Sequence, residues 1–251
     1  MPLIGLRQIA QANLPTRWAS FRLSAFAALR IDKISKRKQV ETAVALVLGD
    51  LHSSPPVVRI HSQCTTGDVF QSLRCDCRDQ LHLAMRAIAE ARSGVLVYEY
   101  QEGRGIGLME KLRAYELQDQ GLDTIEANLR LGHEVDARNY ELPVRILRFL
   151  KVRSLRLMTN NPRKIHAVSS SGIEVCERLS ADVPLGRHSA HYVATKRAKL
   201  GHLSGPVLPL HISSEIQQFT GRENALPQPS PQPGPPHPVA SSCDLLRQEI
   251  T

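Results

Sequence analysis

An α/β fold is predicted for residues 1–204, with a mixed sheet and flanking helices, and three features predict it. Helical apolar stripes alternate with short extended runs, glycine or proline separates them, and polar clusters stand at strand-to-helix transitions, where ligands bind in such folds. Asp79 to Arg92 places Leu81, Met85 and Ile88 on one helical face, and Gly94 supplies the stop before the apolar run VLVYEY. QEGRGIG at 101–107 follows, then a helix from Leu108 to Gln120 that Gly121 ends. LRLMT at 155–159 reads as a buried strand, NNP as a turn and Pro162 to about Ser171 as a helix, before IEVCERL resumes extended structure.

Composition divides the chain near residue 204: nine of its 16 prolines lie beyond it, seven of them between Pro227 and Pro238. Missing backbone donors and fixed φ preclude helix or interior strand there, so residues 205–251 read as a disordered, Pro-rich tail on a single catalytic domain. No apolar run is long enough to span a bilayer, and Arg7 and Gln8 interrupt any signal-peptide core. With five cysteines, an odd number, and Cys176 and Cys243 far apart, a disulfide framework is not expected; a reducing cytoplasm is.

The formal charge is +8 overall and +10 over residues 1–204, because the tail holds two cations and four anions. Such a surface attracts polyanions. Aromatic residues make up 4% of the chain, which leaves few platforms for stacking bases, so a small phosphorylated ligand is expected rather than nucleic acid. The basic run from Lys33 to Lys38 reads as a solvated loop without a role.

The chemistry concentrates in C-x10-C-x-C, formed by Cys64, Cys75 and Cys77. Structural zinc closes its tetrahedron with four protein ligands, whereas catalytic zinc keeps one position open. Three thiols fit the second pattern, unless His61 or His82 completes a Cys3His knuckle. In QEGRGIG, Gly103, Gly105 and Gly107 let the backbone approach a phosphate that Arg104 can pair bidentately. TNNPRK puts Arg163 and Lys164 in the first turn of a helix, where cations oppose the dipole and a bound anion explains them better than stability does. DARNY sets Asp136 two residues before Arg138.

These motifs resemble the GTP cyclohydrolase II family. The match spans nearly all of residues 8–203 and includes RIHSQC, SLRCDC, YQEGRGIGL, KLRAYELQDQG, DTIEAN and TNNPRK. The resemblance implies zinc held by Cys64, Cys75 and Cys77, and GTP contacts at Arg59, Gln80, Glu102, Gly103, Arg104, Thr124, Thr159 and Lys164. It implies Asp136 as proton acceptor, Arg138 as nucleophile and Tyr115 as a further active-site residue. The expected enzyme is a cytoplasmic homodimer that hydrolyses GTP to formate, pyrophosphate and a diamino-pyrimidinone ribosylamine phosphate, the first step of riboflavin biosynthesis, with magnesium on the triphosphate. Few residues precede the matched region, so the monofunctional form is expected.

Two points temper the carry-over. A guanidinium stays protonated at physiological pH, which suits Arg138 to clamping charge unless Asp136 takes its proton in a dry site. Gln63 stands where relatives usually have Glu, which keeps open a catalytically impaired, GTP-binding regulatory relative. A zinc-stabilised nucleic-acid module suits the charge but not the Gly-rich phosphate loop.

Overall fold

The computed structural model describes residues 3–31, 38–184, 186 and 189–207. The expected Pro-rich tail lies outside the described residues from position 208 onward, and so does all of the basic run except Lys38. Seven strands form one mixed sheet in the order β1-β2-β3-β5-β4-β6-β7. β1 (Leu3–Pro15), β2 (Ser20–Ile31) and β3 (Lys38–Leu48) form an antiparallel meander, and β3 joins it antiparallel to β5 (Gly94–Glu99). β4 (Val57–Ser62), β6 (Ser154–Met158) and β7 (Glu174–Leu179) continue the sheet parallel to β5.

Parallel strands need crossovers, and helices supply them on both faces. α2 (Cys77–Ala91) buries Leu83, Ala84, Met85 and Ile88 against Val57, Leu96 and Met158. α5 (Glu141–Phe149) and α6 (Pro162–Ser169) pack Ile146, Leu147 and Val168 against Val58, Ile60, Val95, Val97, Leu155 and Leu157 on the opposite face. Val57 and Val58 of β4 and Val95 to Tyr98 of β5 therefore alternate between two cores, which is why β5 reads as a continuous apolar run.

Two expectations are corrected here. α2 ends on Arg92, whose φ of 53° and N–H donation to Ala89 O make it the left-handed cap. Gly94 instead opens β5, because a Cβ there would lie 2.4 Å from the carbonyl oxygen of Val57. The meander was also not foreseen. β1 is a largely exposed edge strand with register shifts between Ile4 and Arg7 and between Gln8 and Ala10, so it shows no regular apolar alternation.

The remaining helices lie over the carboxyl ends of the parallel strands or beyond them. α1 (Thr65–Asp68) follows β4, and a 3-10 turn at Glu102–Gly105 follows β5. α3 (Leu108–Asp119), α4 (Thr124–Arg130) and α7 (Ala190–Leu200) complete the set. Asp123 and Glu126 close a capping box on α4. After α7 the chain stays tied to the sheet: Leu203 N donates to Asn160 O and Gly205 N to Asp182 Oδ2. No helix among the described residues is long and apolar enough to cross a membrane.

Candidate active site

β4 ends at Ser62, and the turn that follows puts Cys64 at the start of α1, facing the start of α2, where Cys75 and Cys77 stand. The three sulfur atoms lie within 4.8 Å of one another, with Cys64 and Cys75 3.7 Å apart. A tetrahedral ion with metal–sulfur bonds of about 2.3 Å sets its sulfurs about 3.8 Å apart, so the thiols are spaced as ligands. Gly67 makes room for them: a Cβ there would approach the Cys75 sulfur to 2.8 Å.

Neither histidine joins the thiols. His61 turns Nε2 to both Asp68 oxygens at 3.3 Å, and Asp68 Oδ2 also accepts from Cys64 N and the Tyr98 hydroxyl. His82 packs on the Trp18 ring. Among the described residues the cluster therefore offers three ligands, as a site with one open position requires.

Lys111, a residue the sequence motifs do not single out, donates to Cys64 Sγ at 3.1 Å and to Glu102 Oε1 at 2.8 Å. Donation from the Cys75 and Cys77 thiols, reinforced by Lys111, holds the Cys64 sulfur far below the ordinary thiol range, while that same bond to Cys64 pushes Cys75 up to about 11. Thiols so arranged are a set that a divalent cation completes by displacing protons. Lys111 and Tyr115 sit at i and i+4 on α3, a spacing that could have flagged the lysine.

Glu102 is committed to the fold: Oε2 accepts from Thr65 N, and Oε1 from Gly103 N and Lys111. Gly103 and Arg104 take successive left-handed conformations, φ 59° and 61°, and the Arg104 carbonyl accepts from Ala137 N. The Gly-rich loop thereby clamps the DARNY loop. Arg104 and Thr124 line a lobe of about 590 Å³ with the three cysteines and Tyr115. The Tyr115 hydroxyl lies 3.3 Å from Thr66 Oγ1, and burial raises its pKa.

A second lobe of about 570 Å³ adjoins the first through Ser62, Cys77, Arg104 and Arg138. Arg59, Gln80, Thr159 and Lys164 line it, joined by Lys196 and His202. No carboxylate lines it among the described residues. Arg59 donates to Met158 O and to Gln80 Oε1, and buried Lys164 donates to Ile60 O at 2.8 Å. Asp76, at the N-terminus of α2, gives its carboxylate to Gln80 and Lys196 instead of capping the helix. Burial, aided by Lys196 and Arg138, pushes His202 down to about 3, which keeps it neutral.

Asp136 stands behind the cleft and grips Arg138 with both oxygens, each at 2.8 Å from a guanidinium nitrogen. Burial opposes the Arg138 charge, but the Asp136 bonds and the nearby Tyr140 and Glu99 outweigh it and raise its pKa. Arg163, in the first turn of α6, meets an anion of the protein itself, the Asp136 carboxylate, at 3.1 Å. Its guanidinium holds the DARNY loop through the Asp136 and Arg138 carbonyls and the Asp136 carboxylate. Thr159 Oγ1 accepts from Asn161 N, and Gln63 Nε2 donates to Thr65 Oγ1.

The family model described as GTP cyclohydrolase II matches residues 7–180. The GTP cyclohydrolase-2 of Pseudomonas syringae pv. tomato is 50% identical over 198 residues, 78% of this chain and 93% of that protein. Those of Histophilus somni strain 2336 and Pseudomonas aeruginosa PAO1 are 48% and 50% identical over the same length, covering 88% and 93% of their own chains. A cysteine cluster and a cationic lobe sharing one cleft, on a chain matched over most of its length, place this protein in the GTP cyclohydrolase II family.

Proposed function

We propose that the chain hydrolyses GTP, opening the imidazole ring with release of formate and cleaving the triphosphate with release of pyrophosphate. The product is 2,5-diamino-6-(5-phosphoribosylamino)pyrimidin-4-one, the first intermediate of riboflavin biosynthesis. One observation carries this reading: a three-thiol cluster and a cationic lobe, lined by no carboxylate among the described residues, meet at Arg104 and Arg138 in one cleft, so a single ligand with a base at one end and phosphates at the other can occupy both.

Cys64, Cys75 and Cys77 would hold zinc, which when bound brings the pKa of a water in its open position toward neutrality. The neighbouring residues then manage protons and charge. Tyr115 keeps its hydroxyl proton at neutral pH and can give it to a ring nitrogen as the imidazole opens. Lys111 holds the Cys64 sulfur and Glu102 in place. Arg59 and Lys164 donate to neutral carbonyls, and burial lowers the pKa of both, so a triphosphate would supply the counter-charge they lack, with magnesium entering as its counter-ion.

Arg138 acts as a charge clamp on the phosphoryl group. A nucleophile needs a free lone pair, and this guanidinium is buried, doubly bonded to Asp136 and held in its charged form. Asp136 is the orienting carboxylate; the Arg138 bonds outweigh burial and lower its pKa, which makes it a weak base.

Incubation of the protein with GTP, zinc and magnesium, with separate assays for formate and pyrophosphate, tests the reading. Both products are expected, and mass spectrometry of a quenched reaction is expected to show no nucleotide on Arg138. GTP binding with neither product would identify a regulatory relative, as Gln63 allows. A phosphoramidate-linked guanylyl group on Arg138 would replace the clamp with the nucleophile.

A further inference from the structure

Glu99 is 1% exposed and touches no substrate-facing cavity, yet it is the last of the alternate β5 residues Val95, Val97 and Glu99, whose first two build the sheet's larger core. A carboxylate at the end of an apolar stripe is costly unless its partners give it a task. Parallel register sets Ser62 of β4 beside it. The Ser62 hydroxyl donates its one proton to Glu99 Oε1 at 2.7 Å, so only lone pairs are left to face Arg138 Nη1 at 3.4 Å.

Its other oxygen works through Gln101. Glu99 Oε2 accepts from Gln101 Nε2 at 2.8 Å, which fixes the amide so that Nε2 also reaches Asn139 O and Oε1 accepts from Asn139 N. Asn139 is the next residue after Arg138. One buried carboxylate thus grips the guanidinium through Ser62 and the adjoining backbone through Gln101.

We propose that Glu99 is a positioning residue for Arg138, acting through Ser62 on its side chain and through Gln101 on its loop. The inference rests on the reading of Arg138 as the phosphoryl clamp. Its electrostatics agree: burial raises the Glu99 pKa, while Lys164 and Arg138 pull it back down, so the carboxylate belongs to the balance of the cationic cluster.

The test uses Glu99→Gln, because a carboxamide puts an N–H donor in place of one of the two oxygens that accept from Ser62 and Gln101. In the full-length zinc-loaded protein, kcat for pyrophosphate release should fall about tenfold to a hundredfold, with KM for GTP and zinc content unchanged. In an Arg138→Lys background the same change should cost less than about twofold, since the group it positions is already altered. Equal losses in both backgrounds would show a merely structural role and overturn the proposal. If Glu99→Gln does not fold, the Ser62→Ala/Gln101→Ala double variant cuts both arms without removing the carboxylate. It should reproduce the loss, and unchanged pyrophosphate release in it overturns the proposal. Wild-type protein that binds GTP without releasing pyrophosphate would defeat the functional reading itself and the inference with it.

Discussion

The two lobes of the cleft spend their charges differently. In the thiol lobe Lys111 lies between Cys64 and Glu102, 12% exposed against 7% for the glutamate. In the cationic lobe Arg59 and Lys164 lean on the carbonyls of Met158 and Ile60, while Lys196 meets the carboxylate of Asp76. Arg138, at the junction, is paired with Asp136. A buried cation without a counter-charge is costly, and burial lowers the pKa of both Arg59 and Lys164, a cost that an anion entering this lobe would offset.

The comparison can be broken most severely at the thiols. Cys77→Ser should abolish both stoichiometric zinc binding and formate release, because two thiols do not hold the ion; metal analysis beside a formate assay checks this. Full metal content in the variant would move the site elsewhere.

Arg59→Met strikes the other lobe. GTP should bind about thirtyfold more weakly by calorimetry, the equivalent of about 2 kcal/mol for a charge-assisted contact, while zinc content stays constant. Weakened zinc binding with unchanged GTP affinity would erase the division of labour.

Lys111→Met sharpens the boundary between them. The Cys64 sulfur loses its donor, and zinc affinity should drop about tenfold, the usual effect of losing an outer-shell partner of a ligand, with GTP affinity nearly intact. Competition with a chelator measures the first quantity and calorimetry the second.

A smaller effect concerns pH. The folded-state pKa of Asp136 lies below its ordinary value, since the Arg138 bonds outweigh burial. Its contribution to stability is therefore full above the unfolded carboxylate pKa of about 4 and is lost as pH falls through the lower folded value. Asp136→Asn should flatten that acid limb of a denaturation series while changing its slope little near neutrality. An acid limb identical to wild type would show that the Asp136–Arg138 pair contributes nothing to stability.

The smallest effect expected is from truncation. The anchors of the last described stretch, Leu203 to Asn160 and Gly205 to Asp182, lie before Val207. Ending the chain after Val207 should leave turnover and melting temperature nearly unchanged, and a loss of either would show that the Pro-rich segment docks.

What the sequence by itself determined is local. The spacing of Cys64, Cys75 and Cys77, the Pro162 start of α6 and the strands at VLVYEY and LRLMT each depend on nearby residues, and all are present. Sequence patterns report such short-range constraints directly. The tertiary structure decided what depends on distant pairs. Lys196 reaches Asp76 across 120 residues, Lys164 reaches Ile60 across 104, and Glu99 meets Ser62 only because two parallel strands share a register. It also decided which residue bears strain: Arg92 rather than Gly94 takes the left-handed cap, since the glycine is needed where β4 and β5 come closest. Packing settles such choices because a contact between distant segments leaves no period in the chain, whereas a cap or a ligand spacing does.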